Sequence, residues 1–195
     1  MQPIRCFFFL LFSYCIVGEL YVANSPELLW MGRIQPLANG SVQLDWSGVQ
    51  VQFYVFNTTT VQIYIQDANN YFNVFVDGVF NSILGPTETS KTQYSVVSDL
   101  NANEKHLIKI TKRTEAEVNS VAVLVNGIEV DGKILNFPFV LPSRKLEFLG
   151  DSITCGYGNE ANQTTCVTSP EGILENNYDT WGGYLSRYFD GKIQK

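Results

Sequence analysis

The sequence predicts a β plus α/β chain. A jelly-roll-like β-sandwich covers residues 24–140, and the opening unit of an α/β domain covers 144–195. Three observations carry this. Short stretches of alternating hydrophobicity fill the first part, with no helical periodicity between them. Pro138 and Pro142 then bracket an extended connector, since proline disfavours helix and restrains the residue before it. Beyond it, the apolar run Leu146 to Leu149 leads into Gly150-Asp151-Ser152, the pattern of a buried strand ending in a sharp turn.

Val49 to Phe56 alternates with period two, and Tyr54 and Phe56 make both faces apolar near its end. Val61 to Gln66 alternates with its β-branched residues on one face. Tyr71 to Val76 is followed by Asp77-Gly78, a hairpin turn. His106 to Lys112 and Val121 to Val125 are further strands, and Asn126-Gly127 and Asp131-Gly132 read as tight turns. Even spacing of such strands points to two packed sheets. Trp46, Tyr71 and Phe72 are expected in the sandwich core, the alternative being a platform on which sugars stack.

After the connector, Asp179-Thr180 is placed to cap a helix from Trp181 to Phe189. Trp181, Tyr184, Leu185 and Tyr188 fall on one face of it, and Gly191 is its expected stop. One strand and one helix cannot close a core.

The chain has 195 residues, 45% of them hydrophobic, with a net charge of −6. That composition is globular, and the acidic balance speaks against nucleic acid or an anionic membrane as partner. The single basic pair, Lys112-Arg113, is followed by Glu115 and Glu117. Residues 1–18 read as a secretory signal, with Arg5 before an apolar stretch from Cys6 to Val17 and Gly18 at the cut. Twelve residues span about 18 Å as a helix, short of the roughly 30 Å hydrocarbon core. Secretion leaves Cys155 and Cys166 as a pair in an oxidising compartment, so a disulfide is expected there. Asn39, Asn57 and Asn162 begin Asn-x-Ser/Thr sequons that suit the same compartment. Two cysteines and one distant histidine make no zinc site, and no cofactor is expected.

Open α/β sheets keep their chemistry at the carboxyl ends of strands, which makes Ser152 a candidate nucleophile. A hydroxyl needs a base to take its proton. The forty-three residues after Ser152 contain no histidine. His106, amid Asn103, Glu104 and Lys105, is expected to be a partly exposed strand residue without catalytic duty.

Gly-Asp-Ser-Ile-Thr, residues 150–154, resembles the first signature block of the SGNH (GDS-type) esterases. The ordered series Met31-Gly-Arg33, Trp46-Ser-Gly48, Asp67, Tyr71 to Gly78, Lys112-Arg-Thr-Glu115 and Arg144 to Gly158 is similar to the second family of carbohydrate esterases, the acetyl-xylan-esterase type. The resemblance implies a small jelly-roll domain before an SGNH hydrolase domain. It makes Ser152 the nucleophile and its backbone N–H one oxyanion donor. The family's histidine base, and a glycine and an asparagine that complete the oxyanion hole, belong to later blocks with no counterpart here. Asp151 is left to orient the turn. One departure is Asn57-Thr58, where the family favours glycine before the threonine.

The expected function is thus a secreted serine esterase that removes acetyl groups from carbohydrate, with an acetylated saccharide as partner. This chain would stop inside the catalytic domain and lack activity by itself. The alternatives are a glycan-binding sandwich module and an inactive truncated product.

Overall fold

A computed structural model describes residues 18–90, 92–115, 122–141, 144–162 and 172–193, the last four by backbone alone. Its strands are β1 (Glu19–Val22), β2 (Leu29–Met31), β3 (Ile34–Pro36), β4 (Val42–Leu44), β5 (Gln50–Phe56), β6 (Val61–Gln66), β7 (Phe72–Val76), β8 (Val79–Leu84), β9 (Gln93–Val97), β10 (Lys105–Lys112), β11 (Val123–Val130) and β12 (Lys133–Leu135). Two helices follow, α1 (Ser152–Cys155) and α2 (Trp181–Ile193).

The strands form two six-stranded antiparallel sheets. One runs β3-β4-β11-β6-β9 and the other β12-β5-β10-β7-β8. A long strand in each sheet carries two short ones end to end on one edge. β11 pairs with β4 through Val123–Val125 and with β1 through Gly127–Val130. β5 pairs with β2 through Gln50–Gln52 and with β12 through Tyr54–Phe56. The sandwich therefore begins at Glu19, ahead of the expected boundary at 24.

Period-two alternation builds the core. Val51, Phe53 and Val55 of β5 point inward, as do Val61, Ile63 and Ile65 of β6 and Ile108 and Ile110 of β10. β11 keeps its apolar residues inside only through a break in register between Val125 and Gly127. Before it, Val123 and Val125 are buried; after it, Ile128 and Val130 are. Asn126-Gly127 is thus a bulge within a strand, not the expected turn. Glycine is required there because a Cβ on Gly127 would lie 2.6 Å from the Tyr21 carbonyl oxygen of β1.

Asp77-Gly78 joins β7 to β8 with positive φ at both residues, as the hairpin signal implied. Asn57 has φ +53, so asparagine occupies a left-handed turn position that glycine would also suit. The departure noted at that position preserves the turn. On the outer face, Tyr54 packs against Phe137 and Phe139 of the connector, with ring centroids 4.7 and 5.2 Å apart. That accounts for the second apolar face of β5.

The expected buried strand at Lys145–Leu149 is not formed. The segment joins no sheet among the described residues, and Leu149 is 89% exposed. A strand of a parallel sheet needs neighbours to satisfy its backbone and cover its side chains, and none of the described residues provides them. Helix α2 runs through Gly191 instead of stopping there. Its anticipated apolar face, Trp181, Tyr184, Leu185 and Tyr188, lies in solvent.

Candidate active site

Ser152 opens α1 and is half-buried. Asp151 is the N-cap, its Oδ1 accepting the Ile153 N–H at 3.0 Å. Gly150 precedes it because a Cβ there would collide with the Thr154 side chain. Gly156 ends the helix at φ +98, its N–H donating to Ile153 O, while Tyr157 N–H donates to Ser152 O. Asp151 therefore shapes the turn, as expected of it. Among the described residues, no partner meets the Ser152 hydroxyl.

The turn rests on the sandwich at the Lys112 end of β10. The Ser47 side chain hydrogen-bonds Cys155, and Gly48 N–H donates to Lys112 O at 2.9 Å. Among the described residues Cys155 has no disulfide partner, and burial is the chief cause of its raised thiol pKa. Cys166, its expected disulfide partner, lies outside the described residues. Beside the turn, Arg33 stands 5.0 Å from the centre of the Trp46 ring and 3.1 Å from Glu147. Trp46 is 56% exposed and so is not a core residue, whereas Phe72 is buried and Tyr71 half-buried.

The Lys112-Arg113-Thr114-Glu115 segment ties the C-terminal residues to the sandwich. Arg113 is 1% exposed. Its guanidinium donates to Asn73 Oδ1 at 2.6 Å, to the carbonyls of Glu175 and Ile173, and to the Glu160 carboxylate. Asn73 in turn donates to Asn176 Oδ1 at 2.9 Å. Asn176 and Asn159 exchange hydrogen bonds of 2.9 and 3.0 Å, and Asn176 abuts Gly156, the C-cap of α1. A chain of buried amides thus runs from β7 to the serine turn.

Lys112 is also fully buried. It donates to the carbonyls of Thr114 and Glu115, and burial lowers its pKa to about 8 against the pull of Asp67, Asp45 and Glu175. Two adjacent cations at the end of a strand whose inward pattern is otherwise apolar were the available signal in the sequence.

His106 is buried at the opposite end of β10, not partly exposed. Nδ1 lies 2.7 Å from Asp77 Oδ2 and Nε2 3.1 Å from Asn101 O. Acceptors at both nitrogens favour the imidazolium, and the Asp77 contact is the main cause of its raised pKa. Six residue steps of strand separate it from Lys112, about 20 Å. It is a hairpin clamp, remote from Ser152. Among the described residues, no group of three or more His, Cys, Asp and Glu side chains is placed to hold a metal ion.

Asn39, Asn57 and Asn162 are all exposed. No helix among the described residues is long and apolar enough to cross a membrane. Of the expected signal, residues 1–18, all but Gly18 lie outside the described residues.

Residues 30–138 match the family model for the carbohydrate esterase 2 N-terminal domain. The chain is 33% identical over 167 residues to the cellulase/esterase CelE of Acetivibrio thermocellus, covering 84% of this chain and 19% of that protein. It is 28% identical over 193 residues to an acetylxylan esterase / glucomannan deacetylase of Cellvibrio japonicus, covering 95% and 51%. Among solved structures, a family two carbohydrate esterase from Clostridium thermocellum in complex with cellohexaose aligns with a TM-score of 0.73 at 30% identity, over 83% of this chain and 48% of that one. The fold is shared with a Cellvibrio japonicus family two esterase at a TM-score of 0.74 and 20% identity, over 88% and 50%. The chain therefore spans about half the length of one curated relative and a fifth of the other.

Proposed function

Because this chain belongs to carbohydrate esterase family 2, we propose that it is the amino-terminal portion of a secreted SGNH-type serine esterase that removes O-acetyl groups from a polysaccharide or oligosaccharide. Ser152 is the nucleophile in this reading, and its backbone N–H is one oxyanion donor. The observation that carries it is the capped turn, which presents a half-buried hydroxyl with no partner among the described residues, within a stretch that the esterase relatives match.

Attack by Oγ on an acetyl carbonyl transfers the hydroxyl proton to a base and builds negative charge on the carbonyl oxygen. No described residue near Ser152 serves as that base, and His106 is committed to Asp77. The base and the remaining oxyanion donors would come from sequence that the longer relatives possess. The uncovered apolar surface of Leu149, Ile153 and α2 is where such a region would pack. Secretion is supported by the residue 1–18 pattern and by the exposure of all three sequons, and a Cys155–Cys166 disulfide would fit that compartment.

The test is acetate release from acetylated xylan and manno-oligosaccharides by the protein extended through its genuine downstream sequence. The expected result is release that Ser152→Ala lowers by several powers of ten. The 195-residue chain alone is expected to be inactive. A second reading, a glycan-binding module, is favoured by the exposed Trp46 ring beside the serine turn. Saccharide binding lost in Trp46→Ala, with no acetate released by the extended protein, would select it.

A further inference from the structure

We propose that the cavity between the β7–β8 hairpin and the Glu160–Asp179 side of the C-terminal segment binds a ring of a neutral, unacetylated saccharide chain. The inference rests on the carbohydrate reading above and adds a second contact to the one at Ser152.

The cavity holds about 400 Å³, within the roughly 300–1,000 Å³ usual for ligand sites. Its two walls differ in chemistry. Phe80 and Ile83 of the edge strand β8 form an apolar wall, and Phe80 remains 52% exposed although its ring meets Phe75 edge-on at 5.8 Å. Facing it are the carboxylates of Glu160 and Asp179; behind them Asn73, Asn176 and Arg113, each at most 3% exposed, are bonded to one another and to those carboxylates. A pyranose ring has the matching division, with one face of C–H groups and a rim of hydroxyls that both donate and accept. Apolar and aromatic side chains suit the former, and carboxylates that accept from hydroxyls the latter.

Charge argues for a neutral ligand. Glu160 is paired with Arg113, and Asp179 lies 3.6 Å from Arg187. The wall therefore presents fixed acceptors with its charges already compensated. An anion would meet two carboxylates whose guanidinium partners are engaged, and a cation would have to compete with Arg113 and Arg187 for those carboxylates.

The cavity is also connected to the serine turn. Asn176 lines it and packs against Gly156, which caps α1. A saccharide chain seated here would lie one layer of residues from the Ser152 helix. That placement suits an enzyme holding a polymer while it works on a small acetyl group elsewhere along it.

The experiment is a titration of the full chain with cellohexaose, xylohexaose and an oligogalacturonate, followed by amide chemical shifts. Saturable shifts are expected at Val79–Leu84 and at Tyr178–Asp179 with the neutral hexasaccharides. Phe80→Ala should weaken binding about fivefold or more, as loss of a ring contact implies. Ile83→Ser on the same edge strand should weaken it too, with the dispersion of the remaining signals confirming the fold. The absence of saturable binding would overturn the proposal. So would undiminished binding by both variants, dependence on Trp46 instead, or tighter binding of the oligogalacturonate. Acetate release by the extended protein, with sugar binding absent from the hairpin, would remove this site and leave the esterase reading intact. Hairpin binding without acetate release would do the reverse.

Discussion

Arg113 donates from Nη1 to Oδ1 of Asn73 at 2.6 Å, and the same Asn73 side chain donates onward to Asn176 at 2.9 Å. One guanidinium at the end of β10 thereby fixes a strand of the sandwich and the C-terminal segment in a single network. All three residues are at most 3% exposed. Buried polar groups of this kind are costly when a partner is lost and specific in geometry when all are satisfied.

Replacing Arg113 should therefore destabilise the whole unit. Arg113→Met leaves Glu160, Asn73 and the carbonyls of Ile173 and Glu175 without their donor. We expect a loss of about 3–5 kcal/mol, because three acceptors in the interior each lose a donor at about 1–3 kcal/mol. Urea unfolding followed by tryptophan fluorescence measures it. A loss under about 1 kcal/mol would show that the network is not what joins the two regions.

Lys112 should make stability rise with pH in the mildly alkaline range. Its folded pKa is about 8 against the usual 10.5, because burial opposes the charge. Between those values the unfolded chain binds more protons than the folded one, so raising pH favours the folded state. The full difference corresponds to about 3 kcal/mol, reached only above the unfolded pKa. Melting temperatures from pH 7 to pH 9.5 should rise in the wild type relative to Lys112→Met. Parallel curves would refute the assignment.

Much of this was written into the sequence where a local rule had one outcome. Val61–Gln66 formed with its anticipated bounds because β-branched residues alternate there without interruption. Asp77-Gly78 formed its hairpin because both positions tolerate positive φ. The serine turn was legible from Gly150, Asp151 and Ser152 because aspartate is a strong N-cap for the helix that the serine opens. Long-range packing was not legible. Asn126-Gly127 carries the letters of a turn, but β6 and β1 flank it on both sides and make it a bulge. Short strands such as β1 and β12 exist only because β11 and β5 offer them an edge. Arg113 reads in the sequence as half of a basic pair followed by acidic residues, and nothing local announces that residues sixty positions later bury it.

His106 should stabilise the β7–β10 clamp most at acid pH. Its folded pKa is raised, first by the Asp77 hydrogen bond. The protonated ring is held more tightly in the folded state, so its contribution is complete below the unfolded value near 6.5 and disappears as pH rises through the folded value. His106→Gln should cost about 1 kcal/mol more at pH 5.5 than at pH 9. The extended, active protein should keep its acetate release in this variant. A large loss of turnover with unchanged melting would place His106 in the chemistry and overturn the clamp.

Helix α2 should be the least protected regular element. Its start is well fixed: Thr180 Oγ1 accepts the Gly183 N–H at 3.1 Å, and Phe148 meets Trp181 edge-on at 5.0 Å. Arg187 adds contacts to Tyr178, with its guanidinium 3.7 Å from the ring centre. Beyond that turn the apolar side chains of Tyr184 and Tyr188 are more than half exposed, so little burial opposes fraying. Native-state hydrogen exchange should find β5 and β10 slowest, residues 175–180 intermediate, and the amides of 185–189 fastest among the helices and strands. Thr180→Ala removes the cap, worth about 1 kcal/mol, and should speed exchange in α2 about fivefold without altering β10. Adding the downstream sequence should reverse the order for α2, because its apolar face would then be covered. Protection of α2 equal to that of β10 in the 195-residue chain would show that the helix needs no such cover. It would also remove the structural reason for expecting a further region to pack there.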